Sequence, residues 1–419
     1  MLEKILAKQN MNLAYKKVLS NKGSSGVDKM EVDSLYDYLK KHKADLLTKL
    51  EGGRYRPKPV RNVEIPKENG KKRQLGIPTV LDRMIQQSIH QVLSPLWEEK
   101  FSDHSYGFRP GRSAHQGLLK CVSYIEQGYE YAIDMDLENF FDTVNHSKLI
   151  QLLSEQIKDG RVVSLIHKYL NAGTIKYEKY EVREKGVPQG GPLSPLLSNI
   201  LLNELDVELE QGGHKFVRYA DDMLILTKSR RSAERVLESI VKYIETKLYL
   251  RVNRDKTKIC RISRASFLGH TFATNKSGKV ELRVHTKSRK KLKGRIRELT
   301  DRSNGWSYEY RKLRLKQYIT GWVNYFRYAN MDSFLSRIDG WYRRRLRSLI
   351  WKLWKLPKTR IKYLLSLGAR KDTAISHGNA SKGYWRMAHT KIMHVCVSNK
   401  ELRQAGYLFF TDYYLKVKN

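Results

Sequence analysis

The sequence predicts an α+β fold that passes, beyond about Gly278, into a helical and strongly basic C-terminal part. Strand-like alternation and helix-like spacing mix along the first two thirds of the chain, and beyond that point the apolar residues recur at helical spacing. The cations gather in the same place: from 281 to 360 there are 23 Lys or Arg against 6 Asp or Glu. With 40% hydrophobic and 10% aromatic residues over 419 positions, a large core and two to four domains are expected.

Charge points to the class of partner. Lys and Arg number 80 against 43 Asp and Glu, a formal net charge of +37. A polyanion relieves such self-repulsion, and each phosphate neutralised releases counterions, so nucleic acid is the expected partner. The plainer reading is a basic, solvated surface without a dedicated ligand. Cys121, Cys260 and Cys396 lie far apart and form no Cys-x-x-Cys pair. That argues against a zinc module or a disulfide framework and fits a reducing compartment. The start, Met1-Leu2-Glu3-Lys4-Ile5-Leu6, has no signal-peptide apolar stretch, and runs such as Met223 to Leu226 are too short to span a bilayer. A cytoplasmic chain without membrane contact is expected.

Taken in order, Ile5, Leu6, Leu13 and Val18 predict a helix over Leu2 to Leu19, broken by Asn21-Lys22-Gly23-Ser24-Ser25-Gly26. Arg56 to Pro78 alternates around Glu68-Asn69-Gly70-Lys71, and Asn-Gly is a strong hairpin signal. After the mixed region come three amphipathic helices. They are carried by Leu292, Ile296 and Leu299, by Ile319, Trp322 and Phe326, and by Phe334, Ile338, Trp341, Leu346, Ile350 and Leu353. Asn304-Gly305 and Asn330-Met331-Asp332 separate them, and Leu356-Pro357-Lys358 ends the third. Most of the Trp in this stretch are expected in the bundle core. Arg360 to Asn419 is long enough for a small basic domain.

Acidic residues are scarce, so two clusters of them stand out. In Tyr131-Ala132-Ile133-Asp134-Met135-Asp136, a strand puts Asp134 and Asp136 on one face and Ile133 and Met135 on the other. Side-by-side carboxylates repel, and a cation removes the cost; a solvated edge strand is the alternative. In Phe216 to Leu226, two apolar strand-like runs flank Ala220-Asp221-Asp222, an acidic hairpin tip that means little alone. Together the clusters would supply carboxylates for Mg²⁺, which favours a few carboxylates plus substrate phosphates. Two such ions steady both oxygens of a phosphoryl transfer. Between the clusters, Gly186-Val187-Pro188-Gln189-Gly190-Gly191-Pro192-Leu193-Ser194-Pro195 reads as a loop before a helix. There Ser194 is the expected N-cap, and the glycines are expected to admit a ligand closely.

These blocks, in this order, resemble the palm motifs of reverse transcriptases, and the chain is identified as similar to the reverse transcriptase/maturases of bacterial group II introns. Tyr219-Ala220-Asp221-Asp222 resembles the family's metal-binding hairpin, and the Pro188-Gln189-Gly190 block the segment under the nascent base pair. Gly23-Ser24-Ser25-Gly26-Val27-Asp28 matches the family's N-terminal extension. Gly321-Trp322-Val323-Asn324-Tyr325-Phe326 matches its thumb, and Ser398-Asn399-Lys400 to Tyr413-Tyr414 its DNA-binding region. The resemblance implies a right-hand polymerase: an N-terminal extension (1–50), fingers and palm (51–280), a helical thumb or maturase domain (281–360) and a small basic DNA-binding domain (361–419).

What the resemblance implies for residues follows. Asp136, Asp221 and Asp222 would hold two Mg²⁺. Asp136 is preferred to Asp134 because an aromatic steric gate, here Phe141, follows the first ligand by five residues; Phe140 would then be core. Lys256 would be the general acid, with Lys258 close by. Lys67 and Arg73 would grip the triphosphate and Gln189 would lie near the incoming nucleotide. Arg109, Arg112, Arg344 and Arg347 would meet nucleic-acid phosphates, and Phe267 and Gly269 would belong to the primer-gripping hairpin. The implied activity is RNA-directed DNA synthesis with binding of intron RNA, a DNA primer or target and dNTP. The HNH nuclease of many relatives, with its paired cysteines, is missing from the pattern, so strand cleavage is not expected. A reverse transcriptase of a retron, diversity-generating or defence system, or a non-catalytic splicing factor, are the alternatives.

Overall fold

The computed structural model describes residues 1–66, 70 and 72–418. The chain divides into two compact units, Met1–Ala265 and Ser266–Asn419. Among the described residues no helix is long and apolar enough to cross a membrane.

The first unit opens with helices α1 (Leu2–Leu6), α2 (Lys8–Asn21) and α3 (Leu35–Glu51). The single helix expected over Leu2 to Leu19 is thus two, because Ala7 adopts an extended ψ of 135°. Ile5 and Val18 are buried as expected, but Leu13 is exposed. Strands β1 (Val60–Pro66) and β2 (Lys72–Ile77) pair antiparallel, the expected hairpin, with Pro66 against Lys72 as its last pair. Lys67, Glu68, Asn69 and Lys71 of the turn, and with them the expectation for Lys67, lie outside the described residues.

Helices α4 (Val80–Glu98) and α5 (Ala114–Glu126) follow, N-capped by Thr79 and Ser113, whose side chains accept from Asp82 N and Gln116 N. Then come β3 (Tyr131–Met135), α6 (Phe140–Thr143), α7 (His146–Gln156), α8 (Gly160–Leu170), β4 (Thr174–Lys176) and β5 (Lys179–Glu181). The unit closes with α9 (Ser194–Gln211), β6 (Lys215–Tyr219), β7 (Asp222–Thr227), α10 (Arg230–Lys247) and β8 (Lys258–Arg261).

Two four-stranded sheets result, ordered β2-β1-β4-β5 and β6-β7-β3-β8. The second is antiparallel throughout and packs on α9 and α10. Leu196, Leu197, Ile200, Leu201, Leu202, Leu205 and Leu209 are all buried on α9, so this helix is apolar nearly all round and runs through the core. Ser194 does not cap it. The helix begins one residue earlier than expected, and the Ser194 hydroxyl donates to the Pro188 carbonyl at 2.6 Å.

The second unit carries a sheet of β9 (Ser266–Phe267), β10 (His270–Thr274) and β11 (Val280–Val284). The three expected helices are α11 (Thr286–Leu299), α12 (Tyr308–Phe326) and α13 (Asp332–Leu353). Of the five Trp in this stretch only Trp351 and Trp354 are buried; Trp306, Trp322 and Trp341 are half-buried, so fewer are core than expected. Pro357 opens α14 (Pro357–Ser366), and five short helices follow: α15 (Lys371–Gly378), α16 (Tyr384–Met387), α17 (Lys391–Cys396), α18 (Asn399–Gln404) and α19 (Phe410–Val417). Buried Asp339 on α13 fixes the last of them, accepting from the amides of Phe410 and Thr411 at 2.9 and 2.8 Å.

Asp339→Ala strands those two amides and is expected to cost about 2 kcal/mol. Hydrogen exchange should then rise selectively at Phe410 and Thr411; unchanged exchange there would contradict this anchor.

Candidate active site

Strand register builds the site. β3 lies between β7 and β8, with Met135 opposite Met223 and Asp134 opposite Lys258. Asp136 is the first residue past β3. Continuing the β3–β7 register by one residue sets it against Asp222, and continuing the β3–β8 register by two sets it against Lys256. Lys256 Nζ indeed lies 3.1 and 3.2 Å from the two Asp136 carboxylate oxygens. The Asp136 backbone is pinned too: its carbonyl accepts from Asn253 N at 2.9 Å, and its amide donates to Thr257 Oγ1 at 3.2 Å.

The opposite wall is the two-residue turn between β6 and β7, Ala220-Asp221, with Ala220 at φ +57°. Backbone strain of this kind persists only where its surroundings enforce it. The enforcer is Arg218, fully buried two residues earlier. Its guanidinium grips both carboxylate oxygens of buried Asp206 on α9, with Nε 2.7 Å from Oδ1. Its Nη1 donates to Asn199 Oδ1 at 2.9 Å and to the Ala220 carbonyl at 3.0 Å. Asn199 Nδ2 in turn donates to the Gly107 carbonyl at 2.8 Å. A Cβ on Gly107 would meet Ala220 N at 2.3 Å, so only glycine lets that loop back the turn.

Asp136, Asp221, Asp222, Lys256, Arg73, Gln189 and Phe141 all line one cleft of about 670 Å³. Asp222 shows what this convergence costs. Its carboxyl is pushed up to about 6, first by desolvation and then by repulsion from Asp221, Asp134 and Asp136, while Arg73 pulls the other way. The residue itself remains solvent-exposed, so the repulsion is the better-founded of the two causes. The sign follows: the folded chain holds this proton more tightly than the unfolded one. Without a counter-cation, stability is therefore lost as pH rises through about 6.

The donor set suits a hard cation in an open site. Among the described residues no group of three or more His, Cys, Asp or Glu is disposed to hold a metal ion. Mg²⁺ does not require such a group, since it takes one or two carboxylates with water and phosphates. The Lys256 ammonium, seated against both oxygens of Asp136, shows that this carboxylate accepts a cation.

Phe140 is buried and Phe141 half-buried, and both line the cleft. The loop 186–191 is held by protein. Gly76 N donates to the Gln189 carbonyl at 2.8 Å, and buried His146 lies 2.8 Å from the Gly186 carbonyl. The glycines expected to admit a ligand admit neighbours instead: a Cβ on Gly190 would meet the Gly76 carbonyl, and one on Gly191 the Gln86 side chain.

Two other expectations are corrected. Arg109 is buried and spent inside the protein, bonded to Glu98 and to the carbonyls of Ser102 and Ser105, so it does not face a phosphate. Arg347 is buried as well, donating to the Val397 carbonyl at 2.8 Å and to Asn399; burial and then Arg343 and Arg344 push it down to about 10. Arg112 is partly exposed, paired with Asp103, and Arg344 is partly exposed. Phe267 and Gly269 belong to the second unit. Phe267 is buried on β9, and Gly269 turns at φ +76° beside Ser288, whose hydroxyl donates to its carbonyl at 3.2 Å.

The Arg218, Asp206, Asn199 and Gly107 cluster escaped the sequence reading. Its one signal is ionisable residues inside otherwise apolar runs, Phe216-Val217-Arg218 and Leu205-Asp206-Val207.

Residues 65–272 match the family described as reverse transcriptase (RNA-dependent DNA polymerase), and residues 289–366 the group II intron, maturase-specific domain. Protein YkfC of Escherichia coli (strain K12) is 36% identical over 307 residues, covering 64% of this chain and 81% of that protein. The group II intron-encoded protein LtrA of Lactococcus lactis subsp. cremoris is 31% identical over 344 residues, covering 66% of this chain and 57% of LtrA. A putative COX1/OXI3 intron 2 protein of Saccharomyces cerevisiae is 30% identical over 320 residues, covering 62% of this chain but 37% of that one. The chain thus spans little more than half of LtrA.

Asp206→Ala leaves Arg218 buried without its carboxylate and is expected to cost about 3–5 kcal/mol. A urea titration should show a clearly lowered midpoint; an unchanged one would mean that the clamp contributes nothing.

Proposed function

Since the chain belongs to the group II intron reverse transcriptase/maturase family, we propose that it copies RNA into DNA at the cleft between Asp136 and the Ala220-Asp221 turn, and binds its intron RNA to assist splicing and retrohoming. The observation that carries this reading is the convergence of three carboxylates, remote in sequence, with Arg73, Gln189, Phe141 and Lys256 around one opening. Reverse transcriptases generally use divalent metal; here we propose two Mg²⁺ held by Asp136, Asp221 and Asp222. When bound, such ions lower the cost of charge on the attacking and leaving oxygens.

The chain's own residues do the rest. Arg73, and Lys67 beyond the described residues, neutralise the triphosphate of the incoming dNTP. Gln189, fixed through its carbonyl to Gly76, supports the nascent pair. The Phe141 ring fills the space a 2′-hydroxyl would need, selecting deoxynucleotides. Lys256 moves from ion-pair partner of Asp136 to proton donor for the departing pyrophosphate. Arg112 meets template phosphates, and in the second unit buried Phe267 anchors the strand before Gly269, whose turn steadies the primer end, while Arg344 contacts nucleic acid.

On this reading 1–50 is an N-terminal extension, 51–280 fingers and palm, 281–360 thumb and maturase domain, and 361–419 the DNA-binding part. The three thiols, all free, suit a reducing cytoplasm.

Asp221→Ala is expected to cut primer extension on an RNA template at least ~100-fold, on the scale of removing one electrostatic partner of a transition state. RNA affinity should stay within about twofold, as expected for a change outside the phosphate contacts. Equal loss of both would sink the separation of catalysis from binding. Phe141→Ala is expected to raise ribonucleotide incorporation relative to deoxynucleotide by at least ~10-fold, a loss of one side chain's worth of discrimination. Unchanged selectivity would remove the gate from Phe141.

A further inference from the structure

The second unit holds a pocket of about 210 Å³ that none of the roles above uses. It is lined by Thr300, Arg302, Trp341, Arg345, Ser348 and Trp385, and none of these side chains is acidic. Its cations are set in place by the fold. Arg345 Nε donates to Thr300 Oγ1 at 2.6 Å and its Nη2 to the Arg297 carbonyl at 3.2 Å, which locks the guanidinium against the end of α11. The guanidiniums of Arg345 and Arg297 both lie over the Trp341 ring, 5.5 and 5.8 Å from its centre.

Arg302 sits 5.2 Å from the Tyr384 ring, and its Nη1 is 3.4 Å from Ser348 Oγ. Of the nearby carboxylates, Glu298 is already paired with Arg295, while Asp301 faces the cluster. Three guanidiniums crowd together here, and burial, then Arg297 and Arg302, hold Arg345 below its ordinary value, with Asp301 opposing them in part. Trp385 of α16, 42% exposed, lines the pocket, and the neighbouring Tyr384 is 37% exposed.

We propose that this pocket takes one unpaired nucleotide of a single-stranded nucleic acid, its phosphate on Arg302 and Arg345 and its base against Trp385. Positioned guanidiniums fit a phosphate, and an exposed indole fits the face of a base. The volume suits a single nucleotide, and a base held in a duplex cannot present its face to a ring. The inference rests on the proposed RNA-binding role and adds a contact by which an unpaired residue is told from a helical one.

The test is binding of the full chain to a short unstructured RNA, to the same sequence as DNA, and to a blunt RNA duplex, across a salt titration. Trp385→Ala should weaken single-strand binding by about five- to a hundred-fold with little change in salt dependence, and Trp385→Phe should restore most of it. Arg302→Gln should flatten the log–log salt slope by about 0.7, the loss of one phosphate contact on a single strand. Duplex affinity should stay within about twofold for Trp385→Ala, since a paired base offers no face to stack. Both side chains are exposed, so the variants are expected to fold. The RNA and DNA arms tell which strand the pocket serves, and either one showing the pattern supports it. Single-strand binding unchanged by Trp385→Ala, or duplex binding weakened equally, would overturn the pocket. Failure of the parent chain to bind any strand would instead overturn the nucleic-acid reading it rests on.

Discussion

Carboxylates that repel one another are held together where β3 ends and β6 turns into β7, and much of the first unit is arranged to withstand that repulsion. Desolvation and then that repulsion push the Asp222 carboxyl up to about 6. Two devices keep the groups from drifting apart. One is the sheet, whose registers leave Asp136 between the acidic turn and Lys256. The other is buried Arg218, whose grip on Asp206 and on the Ala220 carbonyl fixes the turn from behind. A buried ion pair of this kind contributes little net stability over an apolar pair of the same volume, so what it supplies here is position rather than energy.

Much of the site could be read in the sequence because its members advertise themselves locally. In a chain this basic, Asp134, Asp136, Asp221 and Asp222 stand out by composition, and period-2 spacing sends Ile133 and Met135 into the core. The three basic helices were legible for a similar reason, since each keeps its apolar residues at a 3.6-residue period. The clamp was not legible. Arg218 meets Asp206, Asn199 and Gly107 across separate elements, and nothing in local spacing says which buried charge finds which partner.

Arg109 and Arg347 show the converse. A cation in a basic stretch suggests a phosphate, but whether it points outward depends on the carbonyls it meets in the fold, here those of nearby Ser102 and remote Val397. Ser194 and the two glycines of its loop followed the same course, since groups suited to a cap or a ligand were taken up by Pro188, Gly76 and Gln86. The break at Ala7 rests on one extended ψ, to which a periodicity count is blind.

The carboxylate cluster is tested most directly by anomalous scattering from Mn²⁺ in crystals of the chain with a primer, an RNA template and a non-hydrolysable deoxynucleotide. The account expects two ion peaks shared by Asp136, Asp221 and Asp222, with the Lys256 ammonium displaced from Asp136. An ordered complex with no ion between those carboxylates, and Lys256 still seated on Asp136, would contradict it.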